Sequence, residues 1–189
     1  MAPPLAVALH VISGPMFSEK STTLAAMHGR HTRAGRRVLL LVPSNDDRYD
    51  PAGASLVTHT GTRIAATPLD PSIPMCESMG AHTRALAECD IVLIDEAQFF
   101  RGLYQFCLHV TNVCKKPVIA AGLLMDASAQ EFGELSHVAL GAEHHTRLFA
   151  VCACSADANF SALRPGATGG VGAEEKYIAQ CRACYYSTS

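Results

Sequence analysis

Nine consecutive residues near the start of the chain, Gly14-Pro15-Met16-Phe17-Ser18-Glu19-Lys20-Ser21-Thr22, have the types and order needed to hold phosphate. They follow an apolar run and open a helical pattern. In that context a GxxxxGK[ST] loop cradles phosphate oxygens with backbone N–H groups and a helix N-terminus. Lys20 would neutralise the β- and γ-phosphates, and the Ser21 hydroxyl would ligate Mg2+. The plainer reading is a strand-to-helix turn with an exposed lysine. Glu19 stands where the pattern has its second glycine. A carboxylate about 5 Å from a phosphate charge, at an effective dielectric of about 20, is repelled by roughly 3 kcal/mol. Rotation into solvent shrinks that figure, while the Glu19 Cβ hinders close backbone approach.

A second segment, Ile91-Val92-Leu93-Ile94-Asp95-Glu96-Ala97-Gln98-Phe99-Phe100, is an apolar strand ending in two acids. One acid can hold magnesium, usually through water, and the next can take the proton of an attacking hydroxyl. The alternative is a pair of acids on a solvated strand end. Ligands of open α/β sheets bind at the carboxyl ends of the strands, where both segments would lie.

The third group is Cys152 with Cys154 and Cys181 with Cys184, two knuckles suited to tetrahedral Zn2+. Four thiolates leave no open coordination position, so such a zinc would be structural. Cys152 and Cys154 are one residue closer than the usual knuckle. Unliganded reduced thiols are the alternative, and His144 and His145 are possible substitute ligands. Cys76, Cys89, Cys107 and Cys114 read as small core hydrophobes.

The elements that must position these groups show in the hydrophobic pattern. Apolar runs at 5–12, 38–42, 91–94 and 118–123 suit strands buried on both faces of a parallel sheet. Helices are expected over 20–33, stopping near Gly35, over 79–88 and over 103–113. The alternation predicts a doubly wound α/β domain. Residues 44–74 read as loops with short strands. The character changes after Ala150, where cysteine pairs flank a Gly-rich segment at 165–172. Residues 1–149 are therefore expected to form the α/β domain and 150–189 a small metal-knuckle domain.

Composition narrows the function classes. The chain has 189 residues, 49% of them hydrophobic, which argues against general disorder. The formal net charge of −2 and the lack of basic and aromatic clusters around the tail cysteines argue against a nucleic-acid partner. No apolar run has membrane-spanning length, and the N-terminus lacks the basic opening of a signal peptide. A cytoplasmic protein with reduced cysteines and no membrane partner is expected.

Together these residues resemble the thymidine kinase family of the cellular, poxvirus and bacterial type. The family's GPMFSGKST is similar to residues 14–22, and its DEGQFF-like segment to residues 95–100. A D-T-R-Y element resembles Asp46-Asp47-Arg48-Tyr49, and the following T-H pair matches Thr58-His59. The family's GG-x-x-K-Y-x-x-x-C-R-x-C resembles residues 172–184, in particular Lys176-Tyr177 and Cys181-Arg182-Ala183-Cys184. The matches keep their order along nearly the whole chain.

The resemblance implies ATP- and Mg2+-dependent phosphorylation of the 5′-hydroxyl of thymidine, on a parallel-sheet nucleotide domain with a small zinc ribbon. It implies Glu96 as general base, with Lys20 and Arg48 stabilising the transferring phosphoryl group. Contacts to ATP and Mg2+ would come from Gly14 through Ser21, from Asp46, Asp47 and Arg48, and from Asp95, Glu96, Ala97 and Gln98. Met16, Phe99 and Tyr177 would line or close the nucleoside pocket. Backbone groups of Thr168, Gly169, Gly170, Val171 and Gly172, on a lasso loop, would read the pyrimidine edge. It also implies Cys152, Cys154, Cys181 and Cys184 as the zinc ligands, and a homotetramer. Besides Glu19, the chain departs from the family at Leu124, at Ala127 where an aromatic ring normally packs against the nucleoside, at Ser128 and at Ala173. The alternative these departures suggest is a catalytically impaired homologue that binds nucleotide or a partner.

Overall fold

The computed structural model describes residues 6–44, 55–57, 61–167 and 174–187. Its centre is a sheet of six strands in the order β5-β2-β6-β7-β1-β8, formed by Leu9–Ser13 (β1), Val38–Pro43 (β2), Thr67–Leu69 (β5), Ile91–Ile94 (β6), Val118–Gly122 (β7) and His144–Arg147 (β8). Every pairing in it is parallel. The inner strands β6 and β7 are buried along their whole length, as continuous apolar runs covered on both faces should be. The edges are the strands the apolar pattern does not mark. β5 contains Pro68, which lacks a donor and is tolerated at an edge. β8 reads His-His-Thr-Arg and is mostly exposed.

Each face of the sheet carries its own core. Helix α1 (Lys20–Arg33) covers one face, where Leu24 packs among Ile12, Leu40, Leu93 and Ala121. Helices α2 (Met75–Ser78), α4 (Leu103–Asn112) and α5 (Leu135–Leu140) cover the other, among Val11, Leu41, Val92, Ile94 and Ala120. In α4 the buried residues Leu103, Phe106, Cys107 and Val110 recur at helical spacing and form one apolar stripe. Full burial of a side chain such as Phe106 contributes about 2–3 kcal/mol. Helix α1 ends where Gly35 takes a left-handed φ of 74° and donates its N–H to the Thr32 carbonyl at 2.9 Å, a turn that glycine adopts without steric cost.

The helix expected over 79–88 is broken. The chain forms α2, a 3-10 turn over Met79–His82 that contains Gly80, and then α3 (Thr83–Glu88). Met75 and Met79 are the buried anchors, while α3 has no fully buried residue. The apolar signal therefore belongs to the earlier turns. A two-strand ribbon, β3 (Ser55–Val57) with β4 (Arg63–Ala65), adds Leu56 and Ile64 to the α1 side. After β8 the strands pair only in twos: β9 (Ala150–Val151) with β10 (Asp157–Ala158), and β11 (Phe160–Leu163) with β12 (Tyr177–Gln180). Helix α6 (Arg182–Ser187) follows. No helix among the described residues is long and apolar enough to cross a membrane.

Candidate active site

The loop after β1 is shaped by its own residues. Phe17 and Glu19 have left-handed φ angles of 67° and 63° and flank Ser18. Such alternation turns successive N–H groups toward one concavity, which the N-terminus of α1 then extends. Pro15 O accepts from Ser18 Oγ at 2.8 Å and from Lys20 Nζ at 2.8 Å, so the ammonium is held across the loop and is itself buried. Gly14 has no room for a side chain, because a Cβ there would meet Ser18 Oγ and, at 2.6 Å, Leu148 O. From the opposite side Ser161 Oγ accepts the Met16 N–H at 2.8 Å. The sequence reading missed Ser161. Its partner is 145 positions away, and a serine in a short strand carries no signal of its own.

The loop and the two acids face one another. Ser21 Oγ donates to the Asp95 carboxylate, at 3.0 Å from Oδ2 and 3.2 Å from Oδ1. Asp95 is buried at the end of β6, its N–H held by Leu41 O at 2.9 Å. Desolvation, and then the charge of Glu96, push its carboxyl up to about 7; the Ser21 hydroxyl, the Glu96 N–H and Lys20 act in the opposite direction. Glu96 has φ 47° and ψ 43°, a left-handed turn that redirects the chain into the 3-10 segment Ala97–Phe99. Gln98 Nε2 donates to Glu96 Oε2 at 2.5 Å.

Beside Gly14 and Pro15 lies a cleft lined by Leu123, Leu124, Met125, Arg147, Asn159 and Ser161. Arg147 donates to Asn159 Oδ1 at 2.7 Å across its rim. Neither residue was marked in the sequence. Ala127 is on the loop after β7, and its carbonyl accepts the Tyr185 hydroxyl at 2.7 Å. The Tyr185 ring stacks on Phe160 with centroids 4.5 Å apart, so α6 is pinned to that loop. Phe99 packs edge-on against Phe132, and Tyr177 opens β12 opposite Leu163. Asp46, Asp47, Arg48, Tyr49, Thr58, His59 and residues 168–173, which include Thr168, Gly169, Gly170, Val171 and Gly172, lie outside the described residues.

The sulfurs of Cys152, Cys154, Cys181 and Cys184 all lie within 4.8 Å of one another. The short first knuckle closes without difficulty: Cys154 Sγ is 3.6 Å from Cys181 Sγ, close to the sulfur separation that Zn–S bonds of about 2.3 Å give in a tetrahedron. Backbone N–H groups of Cys154 and Cys181 pull the Cys152 thiol down to about 6, and that of Cys184 pulls Cys181 down. His144 and His145 are not part of this cluster. They sit on β8, where the His145 ring meets Ser13 Oγ at 2.7 Å and the His144 ring meets His10 edge-on. Of the four scattered cysteines, Cys89 and Cys107 are core residues, and burial pushes Cys107 up to about 12. The expectation fails for Cys76, which is exposed on α2, and for Cys114, which is half-buried just past the end of α4.

Glu19 is exposed, so its carboxylate has room to turn away from the loop. Its backbone still occupies a left-handed conformation that costs a non-glycine residue about 1–2 kcal/mol. Replacing Glu19 by Gly should raise the melting temperature by about 3 °C, the shift that about 1 kcal/mol produces in a domain of this size. It should also tighten Mg-ATP binding several-fold by removing the negative charge. Calorimetric melting and an ATP titration check both; if neither moved, Glu19 would be neither strained nor repulsive.

A family model described as thymidine kinase matches residues 7–185. The chain is 37% identical over 181 residues to thymidine kinase a of Arabidopsis thaliana, covering 94% of this chain and 74% of the relative. It is 34% identical over 184 residues to the thymidine kinase of Yaba monkey tumor virus, covering 94% of each. It is 35% identical over 184 residues to the cytosolic thymidine kinase of Gallus gallus, covering 94% of this chain and 76% of the relative.

Proposed function

The chain belongs to the thymidine kinase family, and on that footing we propose that its site transfers the γ-phosphoryl group of ATP to the 5′-hydroxyl of thymidine. The observation that carries this reading is the contact between Ser21 and Asp95, which joins the phosphate loop to the two acids.

Each residue has a definite task. The N–H groups of residues 17–21 receive the β- and γ-phosphates. Lys20 moves its ammonium from Pro15 O to the phosphate oxygens, exchanging a neutral acceptor for a charged one, the stronger bond. Glu96 takes the proton of the 5′-hydroxyl as the O5′–P bond forms and the bond from the γ-phosphorus to the bridging oxygen breaks, releasing ADP and thymidine monophosphate. Arg48, outside the described residues, belongs to the same reading as a second cation on the transferring group. Ser21 and Asp95 would hold Mg2+: both offer hard oxygen donors, and a dication would offset the charge of a buried carboxylate beside a second acid. When bound, Mg2+ supplies charge neutralisation between the phosphates.

Arg147, Asn159 and Ser161 bring polar groups to the lining of the cleft, and Leu124 and Met125 bring apolar ones. That pairing suits the flat, polar-edged base of a nucleoside. Met16, Phe99, Tyr177, Ala127 and residues 168–172 complete the pocket in this reading, and Gly14 through Ser21 with Asp46, Asp47 and Asp95 through Gln98 complete the nucleotide contacts. Zinc in the four-cysteine cluster would hold residues 150–189 as a ribbon packed against the catalytic domain of residues 1–149, where Ser161 and Asn159 reach the cleft. By likeness to the chicken relative, whose name places it in the cytosol, the site of action is the cytosol; the family resemblance extends the reading to a homotetramer. The impaired-homologue reading gains no support from a site whose lysine, serine and two acids stand together.

Steady-state assay tests the proposal. With Mg-ATP, thymidine should become thymidine 5′-monophosphate, while 5′-deoxythymidine, which lacks the accepting hydroxyl, should yield nothing. Equal ADP release with both compounds would remove thymidine as the acceptor.

A further inference from the structure

The structure assigns Gln98 the role of a positioning residue that holds the Glu96 carboxylate in place through its amide. The family resemblance gave Gln98 to the nucleotide, but the side chain points into the protein and is buried. Its Oε1 accepts the Leu123 N–H at 2.9 Å, and its Nε2 donates to Glu96 Oε2 at 2.5 Å. A backbone N–H can only donate, so the amide has one orientation, with the NH2 toward Glu96.

The surroundings leave the amide nowhere else to go. A Cβ on Gly122, the last residue of β7, would collide with Gln98 Oε1. A Cβ on Gly133, which has a left-handed φ of 63°, would collide with the Gln98 carbonyl oxygen. Two glycines therefore let the chain close around Gln98 from both sides. One oxygen of the Glu96 carboxylate, Oε2, is engaged by the amide, which fixes how the carboxylate is turned. Gln98 thus ties the orientation of Glu96 to the end of β7.

This inference rests on Glu96 being the base, and the test separates the two. Thymidine phosphorylation is measured for the natural protein and for Glu96→Gln, Gln98→Met and Gln98→Glu, with kcat and KM separated. Gln98→Met keeps length and volume but cannot bond. It should lower kcat about tenfold to a hundredfold, the range that a hydrogen bond to a charged group represents, with KM for thymidine and ATP within about twofold. Gln98→Glu keeps an acceptor for the Leu123 N–H but sets a like charge against Glu96, so its kcat should fall at least as far, again with KM nearly unmoved. If Gln98 merely supported the fold, a folded variant would keep its natural kcat or would lose kcat and KM together, and either outcome overturns the inference. If Gln98→Met does not fold, the kcat and KM of Gln98→Glu decide alone. Full turnover in Glu96→Gln would overturn the base assignment and this inference with it, whereas a dead Glu96→Gln beside unaltered Gln98 variants overturns only this one.

Discussion

Replacing Glu96 by Gln should lower kcat for thymidine phosphorylation by about 10²- to 10⁴-fold, the usual contribution of a positioned general base. The fold should survive. Glutamine has the same length, tolerates the same φ of 47° as well as glutamate does, and can turn its carbonyl toward the Gln98 amide. Mg-ATP affinity should stay within about threefold, because in the proposed reading the loop of residues 14–21, not Glu96, grips the phosphates. The check is a paired measurement of turnover and nucleotide binding on the same sample. Loss of both would mean that Glu96 holds nucleotide or metal rather than a proton, and loss of neither would mean that another group is the base.

Metal removal is the second large effect. In zinc-finger peptides bound zinc contributes on the order of 10 kcal/mol of folding free energy. The buried cluster around the cysteines here consists of Ala150, Cys152, Ala158 and Cys181, so two of its four residues are metal ligands in the proposed reading. Purified protein should carry one zinc per chain. A strong chelator, or Cys184→Ala, should release it and free α6, breaking the stack of Tyr185 on Phe160 and its bond to Ala127. The chain has no tryptophan, so tyrosine fluorescence reports the change directly, and Tyr177, Tyr185 and Tyr186 all lie in the tail. The KM for thymidine should rise along with the fluorescence change, because the loop carrying Ala127 loses its anchor. Protein free of zinc, with fluorescence and melting indifferent to chelator, would return the cluster to four reduced thiols.

The sequence made the centre of the fold legible and left its edges obscure. Strands β2, β6 and β7 are buried on both faces and so read as unbroken apolar runs; α1 begins at Lys20 and ends at Arg33 as its loop and Gly35 indicate. β5 and β8 escaped because an edge strand needs no apolar run, and β8 spends its positions on two histidines that meet neighbours across the sheet. The broken helix before β6 escaped because Met75 and Met79 anchor the turns ahead of the stretch where the polar pattern looked helical. In the site, Lys20, Ser21, Asp95 and Glu96 were legible because a phosphate loop and an acid-tipped strand each have a local signature. Ser161, Arg147 and Asn159 were not, since their meaning arises only when β8 and β11 are folded beside the loop. Gln98 was visible as part of a motif, but its task depends on which way its amide points, which the fold decides.

A crystal structure of the protein with Mg2+, a non-hydrolysable ATP analogue and thymidine puts the central arrangement to the most direct test. The β- and γ-phosphates should lie against the N–H groups of residues 17–21 with Lys20 Nζ moved onto them, and the thymidine 5′-hydroxyl should lie within hydrogen-bond distance of the Glu96 carboxylate. Nucleotide bound away from that loop, or a 5′-hydroxyl turned away from Glu96 with both ligands in place, would contradict the account.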